Sequence, residues 1–150
     1  MKCEIYIQTN TKNPAVLKVV RARWLIRYVS GNGQETTRDG SVSLSNATTK
    51  QAALIALTDA LRRFTKPAVI RMYISDDFVR NMLITNMTKR WAANNWKKIR
   101  LNGELQHRTL WIEIHNYLKI HAVSYAREPE LVDNKILKEM EWRMNNVRAN

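Results

Sequence analysis

The sequence predicts an α/β fold, a mixed five-stranded sheet with helices on both faces, in one domain spanning residues 1–150. Three observations carry this reading. The 150 residues are 45% apolar with only four glycines and three prolines, the composition of a packed core and not of a repetitive or disordered chain. The element order runs three strands, a helix, a strand, several helices, a strand and a last helix. A helical crossover between the third and fourth strands then requires parallel pairing somewhere in an otherwise antiparallel sheet.

Residues 3–7 alternate around Ile5 and Ile7 and form the first strand. From Arg21 to Val29, Ala22, Trp24, Ile26 and Tyr28 share one face, and Arg21, Arg23 and Arg27 share the other. The cluster Ser30-Gly31-Asn32-Gly33 turns the chain into a third strand near 35–44. Ser45, Asn46 and Thr48 are candidate caps for a helix reaching about Phe64, with Leu54, Leu57, Leu61 and Phe64 along one stripe. Lys66-Pro67 stops it, and the run from Ala68 to Ile74 reads as a central strand buried on both faces. Helical segments follow at about 77–86, 88–97 and 105–118, then a strand near 119–123. Pro129 is expected to open the last helix at its first turn.

Twenty-five Lys and Arg against thirteen Asp and Glu leave a net charge of +12. A polyanion relieves such self-repulsion, so a nucleic acid is the first partner expected, with an acidic protein as the other. The lone Cys3 excludes an internal disulfide and a cysteine-based zinc site. No run reaches the ~18 apolar residues of a membrane span, and the first residues lack the apolar stretch of a secretory leader. No membrane association and a cytoplasmic location are expected. His107, His115 and His121 are too dispersed for a joint metal site, and no nucleophile elbow or phosphate-cradling glycine loop occurs.

Several strings point further. They are Glu4 to Ile7, Ala52 to Leu57, Tyr73 to Arg80, the Trp-rich basic stretch Trp91 to Lys98, and His107 to Trp111. In this order they resemble ribonuclease H of type 1, over roughly residues 2–145. The resemblance implies hydrolysis of the RNA strand of an RNA–DNA hybrid by two magnesium ions. Two dications about 4 Å apart need a cluster of carboxylates to hold them beside a phosphate. The family supplies four: at the end of strand one, in the first helix, at the end of strand four, and at the start of the last helix. Carried over, these positions fall on Gln8, Ala53, Ser75 and Asp133. Only Asp133 is an acid, and the loop that holds a proton-shuttling His in the family reads Val123 to Arg127 without one. Asp76, one residue beyond Ser75, is the other residual candidate.

The expected function is therefore that of a pseudoenzyme: a catalytically degraded ribonuclease H-like protein, without a cofactor, that binds RNA–DNA hybrid, duplex or structured RNA. The candidate binding residues are Lys89, Arg90, Trp91, Trp96, Lys97, Lys98 and Arg100, in a stretch from Phe78 to Gly103 that contains no acid. The Arg21, Arg23 and Arg27 stripe is the second candidate. Two alternatives stand beside this. One is an active magnesium-dependent enzyme with a site rearranged around Asp76 and Asp133. The other is a protein-binding module or inhibitor that uses the basic surface.

Overall fold

Thirteen-residue strands at the second and third positions make a long antiparallel hairpin on which the rest of the chain is assembled. The structure is a computed structural model and describes residues 2–99 and 104–146. Its strands are β1 (Lys2–Thr9), β2 (Leu17–Val29), β3 (Glu35–Ala47), β4 (Val69–Ile74) and β5 (Ala122–Tyr125). Its helices are α1 (Thr49–Leu61), α2 (Asp77–Ile84), α3 (Met87–Ala93), α4 (Arg108–Leu118), α5 (Glu128–Leu131) and α6 (Lys135–Asn146). The sheet order is β3-β2-β1-β4-β5. β1–β2 and β2–β3 pair antiparallel, and β1–β4 and β4–β5 pair parallel, as the crossover requires.

Local chemistry explains the hairpin. Ser30 and Gln34 close the turn, and Gly33 takes the positive φ of 85° that a side chain resists. Gly40 faces Trp24 across the ladder, and a Cβ there would lie 2.5 Å from the indole. Trp24 can therefore bury itself to 3% exposure only because its partner has no side chain.

α1 lies in the core. Ala52, Ala53, Leu54, Ala56, Leu57, Ala60 and Leu61 are all fully buried, packed with Ile5, Ile7, Ile70 and Met72 of the sheet and with Trp111 and Ile114 of α4. The opposite face is covered more thinly, by α6, whose Leu137 and Met140 pack on Tyr6. That thinner cover corrects the reading of β4 as buried on both faces. Ile70, Met72 and Ile74 are buried, while Arg71 and Tyr73 are only half-buried and Val69 is exposed. Arg71 reaches Glu130 of α5 at 2.7 Å instead.

Two helix ends also differ from expectation. The segment expected at 88–97 stops at Ala93, because Asn95 and Trp96 both adopt positive φ. Pro129 opens only the four-residue α5, and the last helix starts afresh at Lys135 behind the cap Asn134, whose Oδ1 accepts from the Leu137 amide.

Candidate functional site

Parallel pairing of β1 and β4 brings their carboxyl ends side by side: the Ser75 amide donates to the Ile7 carbonyl at 3.1 Å. Gln8 and Ser75, two of the positions that the resemblance assigns to metal-binding carboxylates, thus meet at one end of the sheet. Neither carries charge. Gln8 is 6% exposed; its Nε2 donates to the Leu137 carbonyl of α6 at 3.2 Å and its Oε1 accepts from the Thr9 amide. It ties the last helix to the first strand. Ser75 is 5% exposed and its Oγ has no hydrogen-bond partner among the described residues.

Cations surround this spot. Lys12 Nζ donates to the Ser75 carbonyl at 3.3 Å. Arg80, 6% exposed, donates to the Ile74 carbonyl at 2.9 Å and to that of Ser75 at 3.4 Å, and pairs with Asp77 at 2.7 Å. Two cavities open here, of about 440 and 210 Å³, sharing Lys12, Ser75 and Asp77. The larger reaches Thr9, Thr48, Thr49, Lys50 and Asp76 at the start of α1; the smaller reaches Gln8, Leu137 and Lys138.

The helix position is corrected by this geometry. Ala53 has no exposed surface and sits inside the hydrophobic core, so it cannot face the groove. The helix residues that do are Thr49 and Lys50, three to four positions earlier, because only the first turn of α1 clears the sheet. Asp133 is also displaced. It lies two residues ahead of α6 and not in its first turn; its side chain is 88% exposed, pairs with Lys138 at 3.2 Å, and lines neither cavity. Asp76 caps α2, its Oδ1 accepting from the Val79 amide at 2.9 Å. The pair Asp76 and Asp133 is therefore not brought together. Among the described residues no three His, Cys, Asp or Glu side chains are grouped to hold a metal. Magnesium needs hard, anionic oxygen ligands in octahedral array. Here an amide and a hydroxyl stand beside Lys12, Arg80 and Lys138, and the nearest carbonyls already accept from Lys12 and Arg80. The acids in the two linings, Asp76, Asp77, Glu128 and Glu141, are not grouped in threes to hold an ion. The residues present do not fit the ion.

The basic stretch divides in two. Lys89, Arg90, Lys97 and Lys98 are exposed and make no ion pair among the described residues. Trp91, expected beside them as a nucleic-acid contact, is a core residue at 5% exposure, its ring 5.1 Å from that of Trp111. Helical spacing turns it inward from Lys89 and Arg90. Trp96 is half-buried, edge-on to His115 at 5.4 Å. Arg100 lies outside the described residues. Arg90 and Lys98 instead flank an apolar groove of about 560 Å³ with Phe78, Met82, Ile99 and Trp111. The second stripe is largely neutralised. Arg23 pairs with Asp39 at 2.7 Å, and Arg27 with Glu4 and Glu35 at 2.8 and 3.2 Å, which holds the Arg27 guanidinium well above its usual pKa.

No family model matches the chain. A ribonuclease H of Chlorobium phaeobacteroides is 27% identical over 99 residues, covering 66% of this chain and 67% of that protein. The ribonuclease H of Caldicellulosiruptor saccharolyticus is 27% identical over 82 residues, 55% of this chain and 56% of the relative. The matched stretches thus span between roughly half and two thirds of these relatives' lengths. Among solved structures, LC9-RNase H1, a type 1 RNase H with the type 2 active-site motif, superposes with a TM-score of 0.72 at 20% identity over 95% of this chain and 69% of its own. The chain has the ribonuclease H-like fold. A foamy viral protease-reverse transcriptase in complex with RNA/DNA hybrid shares the fold over 94% of this chain and 19% of its own, with a TM-score of 0.64 at 14% identity.

Within the ribonuclease H-like frame, sequence reasoning missed Lys12, Lys50 and Arg80 as groove residues. Lys12 sits in a polar loop and Arg80 in a helix, where each reads as solvated surface. Only the pairing of β1 with β4 reveals that both converge on one carbonyl. Counting α1 from its N-cap, Thr48, and not from its apolar stripe, would have found Lys50.

Proposed function

We propose that this ribonuclease H-like chain binds RNA–DNA hybrid, duplex or structured RNA without cleaving it. One observation carries the reading: Lys12 and Arg80 donate to the Ile74 and Ser75 carbonyls at the point where the resemblance requires two dications held by carboxylates. An ammonium and a guanidinium within hydrogen-bond distance of these carbonyls repel a divalent cation, and among the described residues no three acids are grouped to outweigh that. The same cations attract phosphate. The net charge of +12 and the exposed Lys89, Arg90, Lys97 and Lys98 support binding through the backbone, largely independent of sequence. The foamy viral neighbour, solved with an RNA/DNA hybrid, supports that class of ligand.

The test is a labelled hybrid incubated with the protein in Mg²⁺ and, separately, Mn²⁺. Salt-sensitive retention with the RNA strand intact is the expected result. Metal-dependent cleavage that follows the protein through purification overturns the reading, and retention on a protein partner but on no nucleic acid replaces it with the binding-module alternative.

A further inference from the structure

The larger of the two cavities is built for an anion. It lies between the loop after β1, the first turn of α1 and the end of β4, and two ammonium groups, Lys12 and Lys50, line it. Lys12 Nζ makes a single contact of 3.3 Å, so two of its three N–H donors are uncommitted. Lys50 Nζ donates to Gln106 Oε1 at 3.0 Å and lies over the Phe78 ring at 4.3 Å. The Thr48 side chain caps the Gln51 amide and its carbonyl takes the Ala52 amide. The Thr49 and Lys50 amides, first in the helix, have no acceptor among the described residues and carry the positive end of the helix dipole.

An independent observation comes from β4. Ser75 lines the same cavity at 5% exposure with an Oγ that has no partner, which is unusual for a buried hydroxyl. The two acids in the lining are already engaged: Asp76 caps α2, and Asp77 is paired with Arg80. Arg80 offsets Asp77, and Lys12 and Lys50 outweigh the one remaining carboxylate, so the balance of charge at the cavity is positive.

We infer that this cavity holds one backbone phosphate of the bound nucleic acid directly on Lys12 and Lys50, without a metal. The two ammonium groups supply two fixed positive charges to the phosphate, with the Thr49 and Lys50 amides as further donors to the two non-bridging oxygens. The inference rests on the nucleic-acid-binding reading above and specifies where that ligand is gripped. Free inorganic phosphate has the same chemistry, so the test separates the two sources.

Two measurements in EDTA use the intact chain and its Lys12→Gln/Lys50→Gln variant, both changes being at side chains outside the core. The first follows the backbone amide signals of Thr49 and Lys50 by NMR as inorganic phosphate is added. Saturable shifts are expected in the parent and none in the variant. The second measures hybrid affinity against salt by fluorescence anisotropy. The variant is expected to bind about tenfold more weakly at low salt and to lose about one from the salt slope, for the single phosphate that the two Lys side chains share. Phosphate shifts with unchanged hybrid affinity overturn the inference by making the cavity a free-anion site only. Hybrid binding that is equal in parent and variant, with no phosphate shifts, overturns it and leaves the proposed function standing. A parent that ignores hybrid altogether removes the proposed function itself. In a repeat of the anisotropy with Mg²⁺ in place of EDTA, Mg²⁺ that tightens the parent's grip on hybrid also overturns the inference.

Discussion

Arg80 places a buried cation at the carboxyl end of β4 and at the same time holds the fold together. Its guanidinium is buried, satisfies the last carbonyls of β4 and is held by Asp77. Replacing it with Met keeps the apolar stem but leaves buried acceptors without a donor, at a cost of about 2 kcal/mol in denaturant unfolding. Arg80→Lys recovers only part of that, since a point charge cannot serve two carbonyls and a carboxylate with one fork. Equal stability of the Met variant and the parent would show that water replaces the guanidinium freely. The same scale separates Ala53 from Lys50. Ala53→Glu places an unpaired carboxylate among Leu54, Leu57 and Ile70 and is expected to destabilise by about 3 kcal/mol or more. Lys50→Glu, at the groove and in the first helical turn, where the dipole favours an acid, is expected to stay within about 1 kcal/mol of the parent. The reverse order of these two would put the groove on the other side of α1.

At the scale of elements, His121 couples the end of α4 to the start of β4. Its Nδ1 accepts from the Ala68 amide at 3.1 Å, and its ring meets Phe64 edge-on at 5.2 Å. Burial holds its pKa below the usual histidine value. The unfolded chain thus binds this proton more readily than the folded one, so the stabilisation is complete above about pH 6.5 and declines as pH falls below it. The melting temperature should drop between pH 7 and 5. In His121→Asn, whose amide oxygen offers the Ala68 N–H an acceptor that does not titrate, the drop should be smaller; an unchanged drop would assign it to other groups. The elements also show what the sequence could and could not reveal. Strand alternation in β2, the Gly-rich turn and the parallel β4 were all legible, because period-two burial and turn chemistry are local signals. The α5–α6 break was not. Pro129 marks a helix start, but that helix lasts one turn, and Asn134 must cap a second. Nor was the thin cover over Arg71 and Tyr73 visible, since it depends on where α6 lands. Trp91 was misplaced because a basic stretch says nothing about which helical face turns inward.

For the whole molecule the governing quantity is the excess of twelve positive charges. Many cations are already paired on the folded surface: Arg23, Arg27, Arg62, Arg71, Lys138 and Arg143 each face a carboxylate within 4 Å. Exposed pairs of this kind add little stability, but they do remove those side chains from contact with a polyanion. Among the cations that make no ion pair within the described residues are Lys89, Arg90, Lys97 and Lys98, clustered on α3 and the turn after it, and Lys12 and Lys50 in the groove. This partition has a measurable consequence. Each phosphate neutralised releases counterions and adds about 0.9 to the slope of log affinity against log salt on duplex DNA. Changing Lys89, Arg90, Lys97 and Lys98 to Ala should lower that slope by up to about four and weaken binding evenly across sequences. Changing Arg23 and Arg27, already paired, should alter it by less than about one. Trp91→Phe should disturb stability and leave the slope intact, because the indole contributes to the Trp111 contact and no phosphate reaches it. If the slope instead follows Arg23 and Arg27, the ion pairs on β2 open on binding and the sheet face, not α3, carries the nucleic acid.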